Sequence, residues 1–386
     1  MQLAATILGL VIVAVILWDV FETIILPRRV TRRFRIVRLF YRYTWIPWSG
    51  AARAVRAGNR RESFLSYFGP LSLLALFVVW AAALIFAFAL LHFGAGSAIN
   101  SPIAPMGHPG FRTDFYLSGT TFFTLGLGDV TPRTELARVI TVMEAGIGFG
   151  FLAVVISYLP VLYGAFSRRE VNISLLDARA GSPPTAAELL RRHTQPQSVA
   201  ALEQYLHDWE TWAAELMESH LSYPVLCYFR SQHNNQSWLA ALTTILDVAA
   251  LLIAYGKGAL RWQAKLTFAI SRHAVVDLAQ VLNCPPKNSS GERLPAAELR
   301  KLHTLLIAAN LSECCAEERA EDDQRLGDLR RMYEPYVAAL SARLLMPVGA
   351  WVPAKHIVDN WRTSAWARIS TDIETPFAEA EEKEHF

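Results

Sequence analysis

Six consecutive residues, Thr124-Leu125-Gly126-Leu127-Gly128-Asp129, could hold a cation without a single charged ligand. A dehydrated monovalent cation gives up its water only where a cage of oxygens replaces it, and rings of backbone carbonyls can form such a cage. Successive carbonyls face one axis when the backbone alternates between right- and left-handed conformations, and glycine enters the left-handed region at little cost. Gly126 and Gly128 meet that need, and the Thr124 hydroxyl can add an innermost ring of ligands. The ligand set is therefore Thr124, Leu125, Gly126, Leu127 and Gly128.

Such a segment needs a support that brings irregular backbone to membrane depth, which is tolerated only where it is enclosed by protein or lines an aqueous path. Upstream, Thr113-Asp114 reads as a helix N-cap and Phe115–Phe123 as a short apolar helix, too short to span. Its C-terminal end, negative by the sum of its peptide dipoles, would favour a cation just beyond it. Longer apolar stretches lie on both sides, Pro70–Phe93 and Leu136–Phe166, and a further one opens the chain at Leu3–Leu26. Each approaches the roughly 20 apolar residues that cross a bilayer. Asp19 and Glu22 fall late in the first stretch, and Asp19 lies about 24 Å along a helix from Leu3, near the far edge of the hydrocarbon. No basic n-region precedes this apolar run, so a cleaved signal peptide is not expected.

Composition agrees with a membrane protein: 53% of the 386 residues are hydrophobic and 18% charged. The net charge of +3 conceals an asymmetry, because residues 28–61 hold eleven arginines and no acid, whereas the segment between the second and third stretches has only Arg112 and Arg133. Basic loops stay inside, so the 28–68 linker is expected in the cytoplasm, the N-terminus outside, and the chain beyond Ser167-Arg168-Arg169 inside again. Arg28, Arg32, Arg35, Arg38 and Arg42 recur at helical steps opposite Val30, Phe34, Val37 and Tyr41. That pattern fits a basic amphipathic helix on an anionic leaflet, and equally a bare topology signal. Trp45 and Trp48 suit a membrane interface under either reading.

The segment and its flanks resemble the potassium channel family, whose filter reads T-x-G-[YFL]-G-D with a proline three residues later. Thr124, Leu125, Gly126, Leu127, Gly128, Asp129 and Pro132 match, Thr120 and Thr121 stand in the family's usual places, and the likeness covers roughly residues 70–166. Leu127 stands where the family usually has Tyr, as leucine does in some two-pore-domain relatives. The resemblance implies potassium as the permeant ion, coordinated at Thr124, Leu125, Gly126 and Leu127, and an aromatic donor tethered to the filter aspartate. Tyr116, thirteen residues before Asp129, is at the matching offset. Gly148, twenty residues after Gly128, stands where the family often has a hinge glycine, although Gly146, Gly148 and Gly150 also suit close helix packing.

Pro160 removes a backbone donor and crowds the carbonyl of Ile156, which predicts a bend. Glu144, inside the third stretch, must face protein or water: it is either a cavity acid that attracts cations or a hydrogen-bonded acid behind the filter. Asp19 and Glu22 share a helix face, with pairing to the basic linker preferred over a gating role. No regular arginine series marks a voltage sensor in the first stretch.

From Ser167 onward helical patterning dominates, with candidates at Pro184–His193, Val199–His220, Trp238–Tyr255, Leu260–Leu282, Ala296–Arg319 and Leu326–Leu345. Leu239–Ala254 is apolar enough for a fourth span, but its length and Asp247 favour a buried core helix. There is no G-x-G-x-x-G, nor the short alternating strands of a jelly roll. Cys227, Cys284, Cys314 and Cys315 lack metal or disulfide spacing and read as reduced thiols. The acidic run Glu313, Glu317, Glu318, Glu321, Asp322 and Asp323 reads as a solvated helix face before a divalent-cation site, and His193, His207 and His220 as ordinary.

The expectation is an all-α membrane protein with three transmembrane helices and a re-entrant pore helix. Its parts are an extra N-terminal helix (1–27), a basic linker (28–68), a pore domain (69–167) and a helical cytoplasmic domain (168–386). One chain supplies one pore loop, which calls for a homotetramer in the cell membrane. Anionic lipids are expected at Arg28, Arg32, Arg35 and Arg38; no nucleic acid, cofactor or catalytic constellation is expected. A weakly selective cation channel and a membrane-anchored helical scaffold with a vestigial pore are the alternatives.

Overall fold

The computed structural model describes residues 1–26, 36–97, 99–100, 110–193, 198–232, 235–288, 291–308 and 316–353, and these are mostly helical. The chain divides into two compact units, Met1–Gly164 and Ala165–Phe386. Among the described residues, four helical stretches are long and apolar enough to cross a membrane: Gln2–Ile25, Asn59–Gly94, Glu135–Ala180 and Trp238–Tyr255.

In the first unit, α1 (Gln2–Val20) runs into a π-helical turn, Phe21–Ile25. It packs on α4 (Phe68–Gly94), which starts at Phe68 rather than Pro70. The approach is close: a Cβ on Gly9 would stand 2.8 Å from the Ala87 carbonyl oxygen. Buried Asp19 accepts a bond of 3.0 Å from Trp80 Nε1, and Glu22 one of 2.7 Å from Trp18 Nε1. Indole donors within the helix pair thus serve these acids, and the expected pairing with Arg28 and Arg29 falls on linker residues outside the described ones. Arg28, Arg32 and Arg35 lie outside the described residues.

Of the linker, α2 (Ile36–Ala54) and α3 (Asn59–Ser66) are helical. Tyr41, Trp45, Ser49 and Ala52, spaced at helical intervals, form the buried stripe of α2. Trp45 meets Phe68 edge-on at 4.7 Å, and Trp48 stacks on Phe64 at 4.7 Å. Both tryptophans thus have packing partners within the unit, while Arg38 and Arg42 stay on the exposed face.

Between α4 and the next helix only part of the chain is described. Ile99–Asn100 (β1) pairs antiparallel with Thr131–Pro132 (β2), Ile99 opposite Pro132, and Ile99 packs with Leu117 and Val130. Between these strands lies α5 (Phe111–Phe122), capped at Gly110, so Thr113 and Asp114 occupy its first turn instead of its cap. Then α6 runs unbroken from Glu135 to Ala180, with Gly148 and Pro160 inside it.

The second unit is helical, as its patterning predicts. It comprises α7 (Ala186–Arg191), α8 (Ser198–Ser222), a 3-10 turn at Pro224–Tyr228, α9 (Trp238–Tyr255), α10 (Gly258–Val281), α11 (Ala296–Ala308), α12 (Ala316–Arg331) and α13 (Glu334–Leu344). The candidate Ala296–Arg319 overlaps α11 and α12, with residues 309–315 outside the described ones. Leu326–Leu345 is interrupted before Glu334-Pro335, where proline suits the first turn of a new helix. All of α9 is buried, enclosed by α7, α8, α10, α12 and α13. Asp247 inside it is held by Arg293 (2.7 Å) and Tyr333 (2.5 Å), which offset the cost of a buried carboxyl.

At the start of this unit Arg169 is buried against Glu170 (2.9 Å), His220 Nε2 (3.2 Å) and the carbonyls of Leu226 (3.0 Å) and Phe229 (3.1 Å). Burial, and then the Arg169 charge, holds His220 well below the usual imidazole range, so it is a neutral core residue. Cys227 and Cys284 are free and buried, and burial pushes the Cys227 thiol up to about 12; Cys314 and Cys315 lie outside the described residues. Among the described residues no cluster of His, Cys, Asp or Glu could hold a metal ion.

Candidate functional site

The 124–129 segment follows directly on α5. Two backbone bonds turn the chain out of the helix, Thr124 N to Thr121 O (3.0 Å) and Leu125 N to Thr120 O (2.8 Å). The Thr120 hydroxyl bonds back to the carbonyls of Tyr116 (3.1 Å) and Leu117 (3.0 Å), within the helix. Thr120 and Thr121 thus act through their main chain at the helix exit.

Beyond this turn the backbone alternates in hand. Thr124, Gly126 and Gly128 have φ of 56°, 54° and 79°, while Leu125 and Leu127 between them stay out of the positive region. The two glycines behave as their type predicts. Thr124 does not: a β-branched residue at positive φ is an outlier that costs about 1–2 kcal/mol. Such strain persists where a functional geometry is held in place by its surroundings. Nothing in the residue type of Thr124 announces it; only its place in the alternation does.

Residues 123–129 are exposed in the single chain, with Leu125 and Leu127 at 61% and 64%. Both leucines are thus left uncovered within the single chain. At its C-terminal end the segment is tethered: Tyr116 Oη donates to Asp129 Oδ2 at 2.9 Å, and Val130 N donates to Asp129 Oδ1 at 3.1 Å. The β1–β2 pair then fixes the chain leaving the segment. The sequence reading missed that staple, whose signal is small: β-branched Ile99, Val130 and Thr131 on either side of the loop.

Gly148 on α6 crosses directly under the end of α5. A Cβ there would collide with the backbone of Phe122, with the carbonyl carbon only 2.9 Å away, so packing demands the glycine. At Gly146 and Gly150 a Cβ would meet nothing within 4 Å in this chain. At Pro160 the helix continues unbroken on both sides.

Glu144 does not line a cavity. It is fully buried among α4, α5 and α6, in a hydrogen bond with Ser118 and 3.5 Å from His92 Nε2. Ser118 also reaches the Ile85 carbonyl at 2.7 Å. A cation attractor would need open space, and this carboxyl has none. Asp114, likewise buried, accepts from Ser97 Oγ at 2.6 Å. These contacts form a polar brace that joins the long helices to α5.

Residues 73–162 match a family model described as ion channel. Over 214 residues the chain is 24% identical to an uncharacterized membrane protein, YdjJ, of Bacillus subtilis (strain 168); the match takes in 55% of this chain and about three fifths, 60%, of that relative's length. No solved structure matches. The chain is accordingly a membrane protein that carries an ion-channel domain at residues 73–162.

Proposed function

We propose that the protein is a homotetrameric, potassium-selective channel that conducts passively through carbonyl rings contributed by Thr124, Leu125, Gly126, Leu127 and Gly128. The observation that carries this reading is the alternation of backbone hand at Thr124, Gly126 and Gly128 within a T-L-G-L-G-D segment. Alternation turns successive carbonyls to one side, and such carbonyls replace the hydration shell of the ion. One chain brings one such strand, so a closed axial ring requires several copies, and the exposure of Leu125 and Leu127 leaves a surface for them.

Three spans per subunit, α1, α4 and α6, place the arginine-rich linker on the cytoplasmic side and the N-terminus outside. The second unit is then cytoplasmic, where its helices pass a gating stimulus to the pore. The exposed Arg38, with Arg28, Arg32 and Arg35 before it, meets anionic lipid of the inner leaflet. Transport of this kind needs neither cofactor nor catalysis.

Full-length protein reconstituted in liposomes tests the proposal. A potassium gradient is expected to drive flux that sodium does not replace, and native mass spectrometry is expected to return a tetramer. Sodium flux close to that of potassium would establish the weakly selective channel instead. No flux, with no ions along 124–128 in a structure determined in potassium, would leave the scaffold reading.

A further inference from the structure

Ser118, Glu144 and His92 are each fully buried, on α5, α6 and the last turn of α4. The Ser118 oxygen is in hydrogen-bond contact with two groups, the Ile85 main-chain carbonyl and Glu144 Oε1. A hydroxyl has one hydrogen, and a carbonyl can only accept. If that hydrogen serves Ile85, the proton between Ser118 and Glu144 has to come from the carboxyl.

The other face of Glu144 leads to the same answer. Oε2 has no hydrogen-bond partner, and neither ring nitrogen of His92, 3.5 Å away, has one. A buried carboxylate left with so little is strongly disfavoured, whereas a neutral acid avoids most of that desolvation penalty.

Few other groups bear on it. His92 is the titratable side chain of α4 here, and Asp114 that of α5, engaged with Ser97. Between Gln2 and Trp18 α1 carries no titratable group, Glu135 and Arg138 at the start of α6 are exposed, and Tyr116 is spent on Asp129.

We propose that Glu144 is a positioning residue held as a neutral carboxylic acid, donating its proton to Ser118 and so fixing the pore helix against the outer and inner helices. The functional consequence rests on the channel reading above; the protonation state does not. Loss of that proton at alkaline pH turns a carboxylate toward the lone pairs of Ser118. The pore helix is released, and the 124–129 segment loses its frame. The opposite arrangement, an ionised Glu144 paired with a charged His92, makes contrary predictions.

The experiment uses full-length protein in liposomes. An amide can donate to Ser118 and has no proton to lose, so Glu144→Gln is expected to keep neutral-pH potassium flux within about threefold, while Glu144→Ala, which strands Ser118, loses about tenfold. Flux through the unaltered chain is expected to fall at alkaline pH, and flux through Glu144→Gln to stay level. Infrared difference spectra at neutral pH are expected to show a protonated-carboxyl band that Glu144→Gln removes. Absence of that band overturns the proposal, as does a Glu144→Gln variant that is as impaired as Glu144→Ala or fails to assemble. The infrared readout needs no conduction, so a silent pore with the band present counts against the channel reading alone.

Discussion

The hydroxyl of Tyr116 stands 2.9 Å from Oδ2 of Asp129, tying α5 to the residue just past the last glycine of the 124–129 segment. Leu127 brings no hydroxyl of its own, so this tether is the outer anchor among the described contacts of the segment. Tyr116→Phe removes that bond while leaving the ring in place. The tetramer is expected to persist, with a lower potassium-to-sodium permeability ratio and flux that decays with time. Reversal potentials under bi-ionic conditions measure the first, and a ratio equal to that of the unaltered chain would show that the tether is idle.

Gly126 has φ of 54° and open space around its missing side chain. Gly126→Ala therefore meets no clash within the chain, and its penalty is conformational, about 1–2 kcal/mol for each left-handed alanine. In a ring of four copies the cost recurs at every subunit. Potassium flux is expected to drop below detection although native mass spectrometry still finds the assembly. Retained flux would mean that the left-handed conformation is not the conducting one.

Gly148 tests a different physical limit. Here the side chain is excluded by the Phe122 backbone, not by dihedral preference. Gly148→Ala is expected to push the end of α5 outward, cutting flux and lowering thermal stability in detergent by about 1–3 kcal/mol, the usual cost of overpacking. Gly146→Ala serves as the comparison, since a Cβ there meets nothing in this chain. Equal effects at the two positions would remove the packing explanation.

How much of this was legible beforehand depends on the range of the interaction. Long apolar helices follow from local apolar runs and residue types, and α1, α4 and α5 lie close to the expected stretches, whereas α6 runs past the expected Phe166 to Ala180. The cap of α5 was misread because Thr113-Asp114 looks like a cap, while the Asp114 carboxyl is taken by Ser97. Pairing of Ile99–Asn100 with Thr131–Pro132, and of Trp80 with Asp19, joins residues far apart in sequence. Hydropathy carries no record of such partners. Glu144 was conspicuous as an acid in an apolar helix, but whether it faced a cavity or Ser118 depends on which way α6 is turned.

Glu188 gives the second unit a pH dependence of defined sign. Burial works against its charge, but hydrogen bonds and charge from Arg191 and Arg192 prevail and bring its carboxyl from 4.5 down to about 2. A carboxyl whose value is depressed by folding contributes stability above its unfolded value and loses it as pH falls toward the folded one. Stability is therefore expected to decline between about pH 4.5 and pH 2. Glu188→Gln should flatten that part of the thermal-stability profile, and an unchanged acid limb would assign the decline to other carboxyls.

Trp80 and Asp19 bear on whether α1 belongs to the pore unit or merely lies beside it. Their bond, 3.0 Å long and buried, joins the helix ahead of the basic linker to the outer pore helix across sixty-one positions of chain. Trp80→Phe keeps the apolar bulk and removes the donor, taking from a buried carboxyl one of its partners at a cost of about 1–3 kcal/mol. Asp19→Asn keeps an acceptor for the indole and loses the charge, so it should be the milder change. If α1 is integral, Trp80→Phe lowers the melting temperature of the whole first unit in detergent, read by loss of tetramer on native gels. If α1 is peripheral, the assembly and its melting temperature stay as in the unaltered chain, which would make α1 an accessory to the pore.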